Sequence, residues 1–290
     1  MKTKKKPVRV FSFFAYLLFA FSSCLSSYGI QSISSDYGVL IGAAPRQALD
    51  ILLASEKVST VVLELEDFSS EQIDLCHKRG IEVFAYMSVG SLEDWRYWYD
   101  DFSFLCFKKY DNWEGELWID VRNRLWQDFI VEVLAKELYN KGADGFFLDN
   151  FDVYYQVKME KDSQKTKAFF LALKDILLRL NGTYGIKCII NGGDEFVTDL
   201  ISEENSSSLI YAVNQESVFT RIVSYQRNLF ASQTKEETAY FTEYLDRVKK
   251  SGIKVFLLEY AREEDLVKKT EEVCRSYGYR FFISPSLDLK

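Results

Sequence analysis

One pattern recurs along this chain and limits what it can become. A helical stretch ends in glycine, two residues follow, and a short apolar run begins. It occurs at Gly80 before Val83-Phe84-Ala85-Tyr86, at Gly142 before Gly145-Phe146-Phe147-Leu148, and at Gly185 before Cys188-Ile189-Ile190. It returns at Gly252 before Val255-Phe256-Leu257-Leu258 and, more loosely, at Gly278 before Phe281-Phe282-Ile283. Glycine just past a helix accepts the left-handed backbone that ends it. A continuous apolar run suits a strand covered on both faces. Three further runs, 38–41, 61–65 and 209–213, read as strands without the glycine, which makes eight.

Helical periodicity fills the gaps. Leu125, Trp126, Phe129, Ile130, Val133, Leu134 and Leu138 form one stripe; Tyr240, Phe241, Tyr244, Leu245 and Val248 form another. Ser69-Ser70-Glu71-Gln72 matches a capping box that opens a helix ending at Gly80. Strands alternating with helices in this number predict an α/β chain folded as a (β/α)₈ TIM barrel, a single domain over residues 28–290. A doubly wound open sheet is the alternative, but no Gly-x-Gly-x-x-Gly or phosphate loop follows any strand.

Residues 1–27 read as an export signal. Lys2, Lys4, Lys5, Lys6 and Arg9 precede an apolar run over 11–21, and Ser22-Ser23-Cys24 follows. The run is about half of the roughly 20 residues that span a bilayer, though an uncleaved anchor is the other reading. Phe21-Ser22-Ser23-Cys24 resembles a lipobox with Phe in place of the usual Leu. Simple secretion and a lipid anchor at Cys24 both stay open, and both place the protein outside the cytoplasm, extracellular or at the cell envelope. Without those five positive charges the net charge of −7 becomes −12. Such a field disfavours nucleic acid and suits a neutral or cationic ligand.

Other chemistries are limited by residue counts. The chain has one histidine, His77, so a His-rich zinc site is excluded and any Ser-His-Asp arrangement would need that residue. Of the five cysteines, Cys24, Cys76, Cys106, Cys188 and Cys274, none forms a Cys-x-x-Cys pair. Without Cys24 the other four allow three disulfide pairings. Cys76, Cys188 and Cys274 lie in apolar segments and read more simply as small buried residues.

In a barrel the site lies at the C-terminal strand ends. Here those ends carry Glu64 and Glu66, Tyr86, Asp149-Asn150-Phe151-Asp152, Asn191-Gly192-Gly193-Asp194, Asn214-Gln215-Glu216 and Glu259-Tyr260. A lone acid after a strand is commonly a helix N-cap, and Asp194 fits that role. Several acids on one rim are harder to dismiss, because an acid following apolar strand residues costs burial energy unless paired or used. The loop after the third strand is long and aromatic, with Glu93, Trp95, Trp113, Trp118 and Asp120. Its aromatics either stack on sugar rings or pack the loop onto the barrel. Two carboxylates flanking one bond are the equipment of glycoside hydrolysis, which needs no histidine, metal or cofactor.

Three blocks resemble glycoside hydrolase family 114, the endo-α-1,4-polygalactosaminidases and their bacterial relatives. They are Ala85-Tyr86-Met87-Ser88-Val89-Gly90 with Glu93-Asp94-Trp95-Arg96, then the stretch 115–122, then 142–152. Glu216-Ser217-Val218-Phe219 fits the family's later Glu-x-x-Phe element, and the chain departs from the family at Asn214-Gln215. The resemblance spans roughly residues 36–285. It implies a barrel that cleaves galactosamine-containing, cationic polysaccharide, with Asp149 as nucleophile, Glu216 as acid/base and a retaining outcome. It further implies Tyr86, Glu93, Trp95, Trp118, Asp120, Asn150, Asp152, Asn191, Glu259 and Tyr260 as substrate-binding residues. Retention predicts carboxyl groups about 5–5.5 Å apart and inversion about 6.5–9.5 Å. A barrel that binds polysaccharide without cleaving it, and a glycosidase for another polysaccharide, are the competing readings.

Overall fold

The structure, a computed structural model, describes residues 33–290 apart from residues 112 and 204. Residues 1–27, read above as an export signal, lie with Cys24 outside the described residues. Eight parallel strands neighbour one another in chain order. They are β1 (Tyr37–Leu40), β2 (Thr60–Leu63), β3 (Glu82–Ser88), β4 (Gly145–Asp149), β5 (Lys187–Asn191), β6 (Ala212–Glu216), β7 (Lys254–Tyr260) and β8 (Arg280–Ser284). β8 comes round to β1, where Arg280 pairs with Asp36 at 2.7 Å and the Gly42 N–H donates to Leu289 O at 3.1 Å. The chain is a (β/α)₈ barrel with helices outside.

The local signals act as the residues dictate. All five glycines that punctuate the repeat have positive φ. Ser69 and Gln72 form a reciprocal capping box at the helix Ser70–His77. Tyr37, Phe84 and Phe256 are fully buried in the core, as are Val61 and Val83. A Cβ on Gly145 would stand 2.1 Å from the Phe84 ring, so the first residue of β4 has to be glycine for that ring to fit. Cys76, Cys188 and Cys274 are buried and unpaired, the half-buried Cys106 is also free, and they act as small apolar fillers. His77 bonds Asp144 at 2.9 Å, just before β4 begins, at the end of the barrel away from the strand C-termini. Among the described residues no helix is long and apolar enough to cross a membrane.

Four features differ from the sequence reading. The sixth strand is Ala212–Glu216 rather than 209–213, and Ser207–Leu209 is a 3₁₀ turn. Two insertions break the simple alternation of strand and helix. After β3 comes an antiparallel sheet of Ser91–Glu93, Glu116–Ile119 and Cys106–Lys109, with Glu116–Ile119 in the middle. After β6 comes a hairpin of Thr220–Ser224 with Leu229–Ser232. Finally, the helix from Arg124 to Lys141 widens to π-helical geometry over Phe129–Leu134, and Leu125 and Val133 are exposed. Its buried stripe is therefore narrower: Trp126, Ile130, Leu134 and Leu138.

Candidate active site

The end of β4 sets the site. Asp149 closes the strand, and Asn150 follows at φ 65°, a left-handed conformation that Asn tolerates better than most residues. That turn folds the Asn150 N–H back onto Asp149 Oδ1 at 2.8 Å. The Asn150 side-chain amide is itself held, donating to Ser91 Oγ at 2.8 Å and Glu116 Oε1 at 2.9 Å. The sheet inserted after β3 thus fixes the backbone that presents Asp149.

Asn191, at the end of β5, ties two strands together. Its Nδ2 donates to Asp149 Oδ1 and to Glu216 Oε1, each at 2.8 Å. Those two carboxylate oxygens are therefore separated by no more than twice 2.8 Å. The amide cannot turn over, because Asn191 Oδ1 accepts from Asn214 Nδ2 at 2.6 Å and Asn214 Oδ1 accepts the Tyr37 hydroxyl at 3.0 Å. The outer oxygens are also fixed. Tyr86 donates to Asp149 Oδ2 at 2.9 Å, and Tyr260 donates to Glu216 Oε2 at 2.7 Å.

The two carboxyls differ electrostatically. Burial raises the Asp149 pKa, and the bonds from Asn191, Tyr86 and the Asn150 N–H oppose that rise by favouring the anion. Burial also raises Glu216, and the negative charge of Asp149 adds to it, against the bonds from Tyr260 and Asn191 that favour the anion. The difference between the two is that Asp149 has the further Asn150 N–H on its anion, while Glu216 carries the charge of its neighbour. Asp152, burdened by burial and by Asp194 and Asp149, is pushed up to about 7. It accepts the Gly193 N–H at 3.2 Å.

A cavity of about 760 Å³ opens over this pair. Nine expected residues line it: Asp149, Glu216, Tyr86, Glu93, Trp95, Asn150, Asp152, Asn191 and Tyr260. Three do not. Trp118 is buried and stacks behind Tyr110 at 4.4 Å, so it supports the wall rather than forming it. Asp120 is bound to Arg122 at 2.6 and 2.8 Å. Glu259 is fully buried and accepts the N–H groups of Val218, Phe219 and Thr220 at 3.0, 3.0 and 2.8 Å, plus the Thr220 hydroxyl at 2.6 Å. It anchors the segment after Glu216 and does not meet a ligand. Asp194 does not cap its helix either; Gly193 stands at the N-cap and Asp194 opens the first turn.

Further cavity residues carried no site assignment from sequence: Arg96, Tyr110, Trp113, Glu116 and Tyr225. Arg96 holds Glu64 at 2.7 Å, Glu66 at 2.9 Å and Glu93 in a bond through Nε. Three acids on one buried guanidinium leave the group short of positive charge, and burial pushes Glu66 up to about 7 despite Arg96. Glu116 is pushed up to about 7 as well, chiefly by burial. In the sequence Tyr110 and Trp113 were marked only by their place in an aromatic loop, Arg96 and Glu116 by lying within the blocks that carry the family resemblance, and Tyr225 by nothing. Among the described residues no group of three or more His, Cys, Asp or Glu side chains is arranged to hold a metal ion.

Known proteins share this architecture. The sequence model of glycoside-hydrolase family GH114 matches residues 44–285. The glycoside hydrolase domain of PelA from Pseudomonas aeruginosa superposes with a TM-score of 0.71 at 20% identity, covering 89% of this chain and 95% of that one. Ega3 from Aspergillus fumigatus, solved in complex with galactosamine, superposes with a TM-score of 0.61 at 15% identity, covering 93% and 98%. At these identities the superpositions speak for the fold. No curated protein sequence matches the chain.

Proposed function

The chain belongs to glycoside-hydrolase family GH114, and from that premise we propose that it cleaves α-1,4-linked galactosamine polysaccharide with retention of configuration, Asp149 acting as nucleophile and Glu216 as acid/base. The observation that carries the mechanism is the Asn191 amide shared by both carboxylates. It keeps their nearest oxygens within twice 2.8 Å of each other, which supports the short carboxyl spacing of direct attack over the wider spacing of inversion.

The hydrogen bonds support each step. Protonated Glu216 gives its proton to the glycosidic oxygen as the bond to the anomeric carbon breaks. Asp149, whose anion Asn191, Tyr86 and the Asn150 N–H favour, bonds that carbon. The departing sugar leaves as a neutral alcohol. Glu216, now ionised, takes a proton from water, whose oxygen displaces Asp149 and restores both groups.

The substrate assignment is supported by charge and shape. Glu64, Glu93, Glu116 and Asp152 line the cavity beside the catalytic pair, with Arg96 as the cation among them. An ammonium group offsets that excess, while Trp95 and Tyr110 offer faces for the C–H surfaces of a sugar ring. In this reading residues 1–27 export the chain, by simple secretion or with a lipid on Cys24.

The test is incubation of the purified protein with de-N-acetylated α-1,4-galactosamine polymer, read by mass spectrometry and by NMR of the first anomer formed. Oligosaccharides with an initial α-anomer are expected, and Asp149→Asn and Glu216→Gln should abolish them. An initial β-anomer would refute retention. No cleavage of the polymer by the unaltered protein would refute the substrate.

A further inference from the structure

The hairpin after β6 borders the cavity, which Ile222 and Tyr225 help to line. Its root is fixed by Glu259, which takes the Val218, Phe219 and Thr220 N–H groups. Its turn is tied elsewhere: Asn228 Oδ1 accepts the Leu287 N–H at 2.8 Å, from the segment that follows β8. Near the turn Tyr225 meets the other insertion. Its ring centroid lies 6.1 Å from that of Trp113, with the planes at 88°. Trp113 belongs to the sheet inserted after β3, between Cys106–Lys109 and Glu116–Ile119.

The barrel's topology gives that contact its meaning. β3 and β6 are separated by β4 and β5 in the ring of eight, so their insertions rise from nearly opposite walls. They meet only by spanning the ends of β4 and β5, which carry Asp149 and Asn191. Both rings line the catalytic cavity. The hairpin also touches the chemistry from its second strand, where Phe230 stacks on Tyr260 at 5.7 Å, the residue that bonds Glu216.

We propose that the Trp113–Tyr225 contact is a latch that holds the polysaccharide beneath the hairpin between cuts, so that hydrolysis is processive. The inference rests on the glycosidase reading of the same site. An edge-to-face aromatic pair suits the task, because it is weak enough to part when a chain enters and directional enough to reclose. After each cut the retained chain slides along the cavity under the closed latch, whereas dissociation requires the latch to open. Neither ring hydrogen-bonds the catalytic carboxylates, so the latch is read from how the products divide between soluble fragments and polymer, whatever the overall rate.

Tyr225→Ala and Trp113→Ala test this on the full purified protein with the galactosamine polymer. The readout is the ratio of new reducing ends on soluble oligosaccharides to those left on the polymer at low conversion. Loss of the latch should lower that ratio by about 2- to 10-fold, the range expected for one aromatic pair. Tyr225→Phe keeps the ring and should keep the ratio. An unchanged ratio in alanine variants of an active, folded enzyme overturns the latch and leaves the glycosidase reading standing. Absence of polymer cleavage by the unaltered protein overturns the glycosidase reading, and the latch falls with it.

Discussion

Replacing Asn191 by alanine removes one nitrogen that serves two carboxylates. Each of its 2.8 Å bonds goes to a group that is charged at some stage of the reaction. A hydrogen bond to a charged group contributes about 1.5–3 kcal/mol. Only the part that strengthens toward the transition state affects turnover, so one such bond is the fair measure. That predicts a fall in kcat of about 10- to 150-fold for Asn191→Ala. The pH profile makes the test sharper. The Asn191 bond lowers the pKa of both Asp149 and Glu216, against burial that raises them. Without it both pKa values rise. The acid limb of the profile reports deprotonation of the nucleophile, and the alkaline limb reports loss of the acid's proton, so the whole bell moves to higher pH. The two limbs belong to the coupled pair, and the direction of travel is the same for either assignment. Steady-state kinetics on galactosamine oligosaccharides across pH measures all of this. A rise in KM with unchanged kcat and unmoved limbs would refute the argument and make Asn191 a sugar ligand.

Other expected outcomes are simpler. Trp95, 59% exposed on the cavity wall, should lose only binding: Trp95→Ala raises KM by about 2- to 10-fold with kcat retained, and a fall in kcat alone would argue against a stacking role. Glu259→Gln leaves buried N–H donors facing an amide group, and should lower stability by about 1–3 kcal/mol. For a chain of this size that is about 2–4 °C in Tm per kcal/mol, and calorimetry showing no change would remove its anchoring role. Asp152, held at about 7 in the fold against 3.8 ordinarily, favours the folded state fully only below about pH 4, and this contribution is lost as pH rises through 7. Asp152→Asn should therefore melt higher than the unaltered protein at pH 8, by up to about 4 kcal/mol of stability, with the gain gone near pH 4. Equal melting at both pH values would contradict this.

The frame was legible because its signals are local. A glycine that ends a helix needs positive φ whatever surrounds it, and a run such as Val255-Phe256-Leu257-Leu258 has to be covered on both sides. The rule failed at β6 for a physical reason. Its last residues, Asn214, Gln215 and Glu216, are polar, so the apolar run suggested that the strand had already ended. Asn214 is nonetheless fully buried, satisfied by Tyr37 and Asn191, residues 177 and 23 positions away. Nothing near it in the sequence announces those partners. The two insertions were hidden similarly, since a hairpin such as Thr220–Ser224 with Leu229–Ser232 is half exposed and carries little apolar pattern.

Glu259 shows why strand-end acids were not sorted by sequence. Glu216 ends β6 and Glu259 stands one residue before the end of β7, and nothing in either strand's own sequence says which of its faces turns inward. Side chains alternate faces along a strand, so a shift of one residue exchanges the cavity for the outer layer. In β7 Phe256 packs on Tyr37 inside the barrel and Tyr260 lines the cavity, which places even-numbered residues inward and Glu259 on the other face. The register agrees: Asn214 lies opposite Phe256 and Glu216 opposite Leu258, so the inward residues of the two strands run side by side. An amphipathic strand would have revealed this parity through polar and apolar alternation. A barrel strand buried on both faces does not alternate, so its sequence leaves the inward face unmarked. Telling an acid that faces the cavity from one that anchors a loop therefore required the register between strands, a property of the fold rather than of either strand alone.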